Sequence, residues 1–179
     1  MEYSDVIQFW FEDSTPADWF KKDESFDQLI RKRFLKTYYA ATCCELFDWR
    51  KTPEGRLAEV IVLDQFSRNM FRDSAQAFAF DSLAVALCQE AIMQQADLAL
   101  PLSKRKFLYM PLMHSESLVI HQEAMRVFSQ EGLEENYVYE IKHKEIIERF
   151  GRYPHRNQIL GRESSEEEIA FLNQPGSSF

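Results

Sequence analysis

The stretch TPEGRLAEVIVLDQFSRNMFR, residues 52–72, predicts a helix that is apolar on nearly every side. Thr52 is a typical capping residue and Pro53 suits the first helical position, so we expect a helix from here to about Phe71. Such a helix belongs in the middle of a core and indicates an all-α domain. Its apolar side chains form two opposite sides: Leu57, Val60 and Ile61 on one, and Val62, Leu63, Phe66 and Met70 on the other.

Charged and polar side chains interrupt this helix along one stripe. Asp64, Arg68 and Arg72 follow one another at intervals of four residues, with Gln65 and Asn69 beside them. Burying an unpaired charge costs on the order of several kcal/mol, so these charges must be neutralised. Either an internal pair of Asp64 and Arg68 ties helices together, or the arginines offer guanidinium N–H groups to an anionic ligand. The sequence leaves both interpretations open.

The rest of the chain divides into further helices, about eight or nine in all, without an alternating strand pattern. A short helix opens at Ser4, and others follow the capping boxes Ser25-x-x-Gln28 and Ser164-x-x-Glu167. No linker of low complexity is present, so residues 1–179 are expected to form one domain, with a loose tail from Gln174. Three more helices are predicted over residues 77–95, 111–128 and 134–150, the last ending at Gly151.

The composition of the 179 residues excludes several classes of protein. Apolar residues make up 45%, while Gly (5) and Pro (6) are scarce, which disfavours disorder and a many-turned β fold. The net charge of −8 disfavours nucleic acid as a partner. Without a secretion signal or an apolar run of about 20 residues, we expect a cytoplasmic protein rather than a membrane protein. Cys43, Cys44 and Cys88 lack zinc-site spacing and are predicted to be buried, reduced thiols, so neither metal nor cofactor is expected.

A second cluster, HSES at positions 114–117, supplies two candidate ligand-binding residues, His114 and Glu116. On the helix predicted here, His114, Ser117 and His121 share one narrow arc. The two histidines are then two turns, about 10 Å, apart, which is too far for a shared metal ion. Ser117 and His121 have the spacing for a hydrogen bond, but no nucleophile elbow accompanies them. Each histidine can equally be a hydrogen-bond partner between helices.

A third cluster, RYPHRN at positions 152–157, places basic side chains around a proline turn, with Arg162 shortly after it. The start of a helix attracts anions through its free N–H groups and its dipole. His155, Arg156, Asn157 and Arg162 are therefore further candidates for ligand binding. The alternative is a basic turn that is simply solvated.

Taken together, these segments resemble the motifs of one protein family, in the same order. It is an uncharacterised, mainly bacterial domain-of-unknown-function family, number nine-two-four, and the resemblance covers almost the whole chain. It implies a tetratricopeptide-like fold of antiparallel helix pairs and implies no reaction. Ser67 stands where the family usually has proline, and His121 where it is usually acidic or polar. The motifs are FWF (9–11), WF (19–20), DQFSRN (64–69), YMPL (109–112) with HSE (114–116), and RFGRYPHRN (149–157).

An internal echo has the period of tetratricopeptide helix pairs, about 34 residues. DSL at 81–83 returns as ESL at 116–118, 35 residues on, and CQEA at 88–91 returns as HQEA at 121–124, 33 residues on. The changing offset leaves a chance similarity as the alternative.

Three functions are compatible with these clusters. The first is a binding module, in which the arginines of the clusters donate to a small acid, a phosphate ester or a peptide carboxylate. The second is a scaffold for protein interaction, in which the clusters lock helices together and the chain can form a homodimer. The third is an acid–base enzyme, a hydrolase or a lyase, that uses Asp64 or Glu116 with His114. We rank the binding module first.

Overall fold

In a computed structural model, which describes residues 1–177 except for the side chain of Phe20, all regular structure is helical. The predicted all-α class and number of helices are confirmed. Short 3₁₀ turns join the helices at Phe47–Lys51, Ala75–Phe78, Asp97–Ala99 and Pro154–Arg156. The helices are α1 (Tyr3–Gln8, continued by a π-helical segment Phe9–Asp13), α2 (Pro16–Phe20), α3 (Glu24–Thr42), α4 (Pro53–Ile61, continued by a π-helical segment Val62–Phe66 and by Ser67–Met70), α5 (Asp81–Met93), α6 (Leu102–Met113), α7 (Leu118–Phe128), α8 (Glu134–Phe150) and α9 (Glu166–Leu172).

Helix α4 lies at the centre of the fold, as its sequence predicts. Every residue from 57 to 67 is buried, and α1, α3, α5 and α6 all pack against the helix. Phe9 of α1, Phe34 of α3 and Phe66 of α4 form one aromatic cluster, with ring centroids 4.7 to 5.8 Å apart. Because neighbours surround α4, its polar residues face other helices instead of solvent.

Two of these polar residues, Asp64 and Gln65, lie in the π-helical segment Val62–Phe66. The Ser67 hydroxyl donates to the Leu63 carbonyl oxygen at 2.6 Å. A serine that bonds back by four residues competes with the backbone for that acceptor and tends to bend a helix. Single π turns inside α-helices are frequent at functional sites. Ser67 therefore helps to shape α4 directly after its π-helical segment.

Three predicted helix starts are displaced. Helix α1 begins at Tyr3 with Glu2 as its N-cap, so the predicted start at Ser4 lies inside the helix. Helix α3 is capped by Asp23, whose carboxylate accepts from the backbone N–H groups of Ser25 and Phe26, so the predicted Ser25 capping box is wrong. Helix α9 is capped by Ser165, one residue later than predicted. At α3 the carboxylate also interacts favourably with the helix dipole, which an uncharged serine does not match.

The helix predicted over residues 111–128 is in fact two helices. Pro111 lies in the last turn of α6, which ends before His114, and α7 begins only at Leu118. A proline near the end of a helix removes a single backbone hydrogen bond, and here the helix stops two residues later. His114 and His121 therefore lie on different elements, and the shared helical arc predicted for them is wrong.

The helix predicted over residues 77–95 starts later, at Asp81, after the turn Ala75–Phe78. The Asp81 carboxylate consequently lies in the first turn of α5, near the positive end of the helix dipole. Of the tail predicted to be loose, Ser177 is buried and its hydroxyl donates to the Leu172 carbonyl oxygen at 3.1 Å. Residues 178–179 lie outside the described residues.

The three cysteines are free thiols, as predicted. Cys88 is buried in α5, but Cys43 and Cys44 are exposed in the turn after α3, so the predicted burial is wrong for these two. They follow the last residue of a helix, where the chain leaves the core. No helix within residues 1–177 is long and apolar enough to cross a membrane.

Gly55 is the position at which α4 approaches the turn Phe47–Lys51. A Cβ atom there would lie 2.0 Å from the backbone oxygen of Trp49. We expect Gly55→Ala to lower the free energy of unfolding by about 3 kcal/mol, because overpacking pushes the turn from the helix. Gly161→Ala is the control: its Cβ would meet open space, and its φ of +65° alone costs about 1 kcal/mol. Urea unfolding followed by tryptophan fluorescence measures both; equal losses would contradict the packing argument.

Candidate functional site

Asp64 is a fully buried carboxylate in the middle of α4. Its Oδ1 atom accepts from Nδ1 of His114 at 2.8 Å, and its Oδ2 atom accepts from the Gln65 amide at 2.6 Å. The Arg68 guanidinium lies 3.2 Å from Oδ1. Burial alone would raise the pKa of Asp64, but the charge of Arg68 and the contacts with His114 and Gln65 outweigh it and hold the pKa well below its usual range. Asp64 is therefore ionised inside the core.

Arg68 links Asp64 to a second carboxylate, that of Asp81. It donates to both oxygens of Asp81 at 3.0 Å and to the backbone oxygen of Asp64 at 2.6 Å. Arg156 reaches the same Asp81 carboxylate at 3.3 Å. The Phe78 ring packs against both guanidinium groups, 5.6 Å from that of Arg68 and 4.5 Å from that of Arg156. Two guanidinium groups thus meet at one carboxylate.

These two guanidinium groups carry like charges at short range. Burial lowers the pKa of Arg156 and the charge of Arg68 lowers it further, while Asp81 acts in the opposite direction. Arg156 also donates to the His114 backbone oxygen at 3.0 Å, but its Nε atom is buried and has no hydrogen-bond partner within residues 1–177. An additional anion at this position would reduce the repulsion between the guanidinium groups.

Glu116 and Arg162 form a second ion pair in the cluster. Arg162 donates to both oxygens of the Glu116 carboxylate at 2.7 and 2.9 Å, and the backbone N–H of Tyr153 donates to one of them at 2.8 Å. Burial raises the pKa of Glu116, but the hydrogen bonds from Arg162 and Tyr153 outweigh it and lower the pKa overall. Glu116 is therefore ionised at neutral pH and committed to its arginine.

All four histidines of the chain gather around Tyr153. The ring centroids of His121, His143 and His155 lie 6.4, 5.8 and 5.6 Å from that of Tyr153, and His114 lies 6.5 Å from His143. Burial lowers the pKa of His143 to about 3 and that of His155 to about 4, and it also lowers the pKa of His114. These three rings are neutral at pH 7.

His121 is fully buried and bonded through both ring nitrogens. Its Nδ1 atom lies 2.6 Å from a Glu140 carboxylate oxygen, and its Nε2 atom lies 2.9 Å from the backbone oxygen of Ser115. Its partners are thus groups other than the Ser117 side chain, for which the sequence allowed a bond. No group of three His, Cys, Asp or Glu side chains within residues 1–177 has the arrangement of a metal site.

The structure brings most of the predicted candidates together and separates three of them. Asn69 and Arg72 turn towards α3, where both donate to the Asp27 carboxylate at 2.6 to 2.7 Å. Asn157 donates to the Ser164 hydroxyl at 3.0 Å. The candidates that lie together are Asp64, Gln65, Arg68, His114, Glu116, His155, Arg156 and Arg162.

Three members of the cluster were not among the candidates. Asp81 corresponds to Glu116 in the internal echo, so this correspondence was a signal that could have found it. Tyr153 lies inside the third motif, between residues that were selected. His143 had no signal, because it is a single histidine in the middle of α8, and only the packing of α8 against α6 and α7 brings it here.

The cluster reaches the surface through several partly exposed side chains. Two depressions on the described surface lie elsewhere, along the outer face of α3 and between the starts of α6 and α8. The partly exposed side chains, between 16% and 26% of their surface, are Arg68, Asp81, His114, Glu116 and Arg162.

The buried histidines predict a fold that is sensitive to acid. The folded pKa of His143 is about 3, whereas in the unfolded chain the ring takes up a proton near its ordinary pKa of about 6.5. The unfolded state therefore binds more protons below about pH 6.5, and the free energy of unfolding falls as the pH is lowered from there. Between about pH 6 and 5 carboxylates have hardly begun to titrate, so histidines dominate the slope.

We expect His143→Gln to reduce the slope of the unfolding free energy against pH by about 1.4 kcal/mol per pH unit in this range, which corresponds to one proton. Urea unfolding at several pH values between about 6 and 5 measures it. Gly161→Ala is the control, since it alters stability without removing a titratable group and should leave the slope unchanged. A wild-type slope in His143→Gln would contradict the assignment.

Comparisons with known proteins agree with the family resemblance. No curated protein matches the sequence. The solved structure of a protein of unknown function from Agrobacterium tumefaciens, ATU0120, is similar to this chain, with 38% sequence identity, 96% of each chain covered and a TM-score of 0.91. The family described as bacterial protein of unknown function, DUF924, matches residues 6–176. The chain therefore belongs to the DUF924 family.

Proposed function

We infer that this protein is a binding module for a small anion, a carboxylate or a phosphate ester, held by Arg68 and Arg156. One observation carries the proposal: two guanidinium groups converge on the single carboxylate of Asp81, at 3.0 and 3.3 Å. A planar guanidinium presents paired N–H groups that match the oxygens of carboxylates and phosphates. Two such groups side by side are suited to an acidic group of a ligand.

Both guanidinium groups keep N–H groups that the protein does not use. A guanidinium has five; hydrogen bonds within residues 1–177 take three on Arg68 and two on Arg156. The Phe78 ring covers one side of both groups. A ligand would approach from the open side, where the Arg68 side chain is 21% exposed.

His114 is placed to add a further contact. Its Nδ1 atom is committed to Asp64, which leaves Nε2 as the nitrogen available to a ligand. Burial and the charge of Arg68 lower the pKa of His114, although Asp64 acts in the opposite direction. The neutral ring offers Nε2 as an acceptor for the hydroxyl of a hydroxy acid or of a protonated phosphate ester.

The ligand we propose is a small molecule or the carboxylate of a peptide. The net charge of −8 is unfavourable for nucleic acid, which needs a positive field over the contact surface. We place this module in the cytoplasm, away from membranes. A homodimer that covered the cluster would compete with the ligand, so we expect this face to be open in solution.

Binding should raise the thermal stability of the protein, and Arg68 should be required for the rise. We expect inorganic phosphate, succinate or glycerol phosphate to raise Tm in the wild type and to have no effect on Arg68→Ala. Arg72→Ala is the matched control, because it breaks a bidentate ion pair of the same kind, with Asp27, outside the cluster. A sample with sodium chloride at the same ionic strength controls for the general effect of salt on charge interactions. Equal loss of the rise in both variants, or no rise for any ligand, rejects the proposal.

Asp81 competes with the ligand, because its carboxylate occupies both guanidinium groups. We expect Asp81→Asn to lower the Kd of the same anions by about tenfold, equivalent to about 1.4 kcal/mol. Isothermal titration calorimetry measures the Kd. The result separates a site from an internal lock, since a lock that loses Asp81 is destabilised without any gain in anion affinity.

An acid–base enzyme is the second candidate, and the hydrogen bond between Asp64 and His114 favours it. A carboxylate that accepts from Nδ1 orients the imidazole and leaves Nε2 to act as a general base. Glu116 is unsuited to this role, since Arg162 holds its carboxylate. Incubation of each stabilising ligand with the protein, followed by NMR, tests for turnover. A ligand that binds without being converted supports the binding module over the enzyme. If no ligand binds, the interaction scaffold is favoured.

We also propose that α5 and α7 descend from a repeated helix pair of tetratricopeptide type. Asp81 and Glu116, which correspond in the internal echo, are both carboxylates that pair with arginines; Asp81 is the first residue of α5, and Glu116 lies two residues before α7. Cys88 and His121, which also correspond, are both fully buried. Such helix pairs stack to form a concave surface, on which the cluster would lie.

A further inference from the structure

Three backbone oxygens around the end of α6 accept hydrogen bonds from side chains outside that helix. The last carbonyl groups of a helix lack partners inside it, so these side chains determine the path of the chain as it leaves α6. His114 and Glu116 of the cluster lie on this path. The three pairs are Tyr153 with the Met113 oxygen at 2.6 Å, Arg156 with the His114 oxygen at 3.0 Å, and His121 with the Ser115 oxygen at 2.9 Å.

The bond to Ser115 decides which ring nitrogen of His121 carries a proton. A backbone oxygen only accepts, so Nε2 is the donor and holds a proton. The Tyr153 hydroxyl, 3.3 Å from Nε2, cannot supply that proton, since its own goes to the Met113 oxygen. On the other side of the ring, Nδ1 lies 2.6 Å from Oε1 of Glu140, and two acceptors do not approach so closely without a proton between them. This second proton belongs either to the imidazole, in an ion pair, or to the carboxyl group, which is then a neutral acid.

The surroundings of Glu140 favour the neutral acid. Both side chains of the pair are fully buried, and Oε2 of Glu140 is buried without a hydrogen-bond partner within residues 1–177. Lys144, one turn along α8, pairs with Glu148 instead. A buried ionised carboxylate needs donors at both oxygens, whereas the acid needs one acceptor for its O–H. Burial raises the pKa of Glu140, although the contact with His121 acts in the opposite direction.

Asp64 is an equally buried carboxylate with the opposite surroundings. Its two oxygens accept from His114 and Gln65, and Arg68 lies 3.2 Å from Oδ1, so the group is held as an ion. Glu140 has a partner at one oxygen only, and within residues 1–177 it forms no salt bridge with a lysine or an arginine. The compensation that makes burial of a charged group possible at Asp64 is therefore missing at Glu140.

We propose that Glu140 is a protonated, neutral acid that positions the anion-binding cluster through His121. Its O–H donates to Nδ1 of His121, which leaves the single ring proton on Nε2, and the Nε2–H group then holds the Ser115 oxygen. Glu140 and His121 contact no ligand in this arrangement. They are positioning residues for the segment that carries His114 and Glu116. The effect on anion affinity rests on the proposed function, whereas the protonation state of the pair does not.

Nitrogen NMR of the full chain, labelled in its histidines, tests the protonation state at neutral pH. We expect His121 to give two widely separated ring-nitrogen shifts, with an attached proton on Nε2 alone, because the ring is neutral. An imidazolium in an ion pair gives two similar shifts with a proton on each nitrogen, and that result would overturn the proposal. The signals are assigned through the ring carbons and the backbone, so neither a variant nor a ligand is needed.

Two substitutions of Glu140 test the positioning role. Glu140→Gln retains a neutral donor, since an amide N–H can take the place of the acid O–H, so we expect Kd and the free energy of unfolding to stay close to the wild-type values. Glu140→Met has a similar volume but no donor, and His121 can then adopt the other tautomer. We expect its Kd to rise about tenfold, as when a group that orients a ligand-binding residue is removed. Calorimetric titration below the Tm of each variant measures Kd, with the anion that the wild type binds most tightly among phosphate, succinate and glycerol phosphate.

Glu145→Met is the matched control, because it removes an exposed carboxylate from the same helix and should bind like the wild type. A role in stability alone would lower the Tm of Glu140→Met and leave its Kd unchanged, and this outcome rejects the positioning role. An equal loss of affinity in Glu140→Gln and Glu140→Met contradicts the neutral acid. If the wild type binds none of the three anions, the proposed function fails and the positioning role fails with it, whereas the nitrogen shifts of His121 still decide the protonation state.

Discussion

The charge of Asp64 inside α4 is the constraint from which the arrangement of the other polar groups follows. The helix is covered by its neighbours, so this carboxylate cannot reach water, and an uncompensated buried charge costs several kcal/mol or more. Arg68, one turn further on, supplies the opposite charge, and His114 and Gln65 occupy the remaining oxygen positions. Arg68 is itself largely removed from solvent, and Asp81 satisfies its other edge. Each buried charge is therefore neutralised by an opposite charge nearer the surface, from Asp64 to Arg68 to the partly exposed Asp81.

The same network of ion pairs also connects the C-terminal part of the chain to the rest of the fold, because Arg156 binds Asp81. The apolar contacts there form a small cluster of Ile146, Ile147 and Tyr153, separate from the main core. Polar contacts also hold this part against the rest of the fold: the Tyr153 hydroxyl donates to the Met113 backbone oxygen at 2.6 Å, and Arg156 binds Asp81. Because the histidines around Tyr153 are held neutral, this part of the molecule joins the rest through a junction whose strength depends on pH.

The sequence predicted what depends on local spacing and failed where distant segments meet. Helix α4 was found because its apolar residues cover every side, and the Asp64–Arg68 pair because its spacing is one helical turn. Asp81 and Arg156 are 75 residues apart and Asp64 and His114 are 50 apart, and no periodicity encodes such pairings. The predicted stripe of Asp64, Arg68 and Arg72 does not form one cluster, because Arg72 pairs with Asp27 of α3 instead. The helix boundaries around Pro111 were predicted wrongly because proline was taken to mark the start of a helix, whereas here it lies in the last turn of α6.

The balance of charge in the cluster explains why an internal lock and a binding site are compatible here. Three guanidinium groups (Arg68, Arg156 and Arg162) face three carboxylates (Asp64, Asp81 and Glu116), so the formal charges cancel without a guest. An anionic ligand that used only the unoccupied N–H groups would leave the cluster with an excess negative charge, so we expect tighter binding where the ligand replaces a carboxylate. Asp64 cannot leave, because it is fully buried, and Glu116 has an arginine to itself. Asp81 shares its arginines, is 16% exposed, and lies in the first turn of α5, so it can move into water. Replacement of the Asp81 carboxylate by that of the ligand changes the electrostatic free energy of the cluster little. We expect the highest affinity for a ligand whose remaining groups fit beside Phe78 and His114.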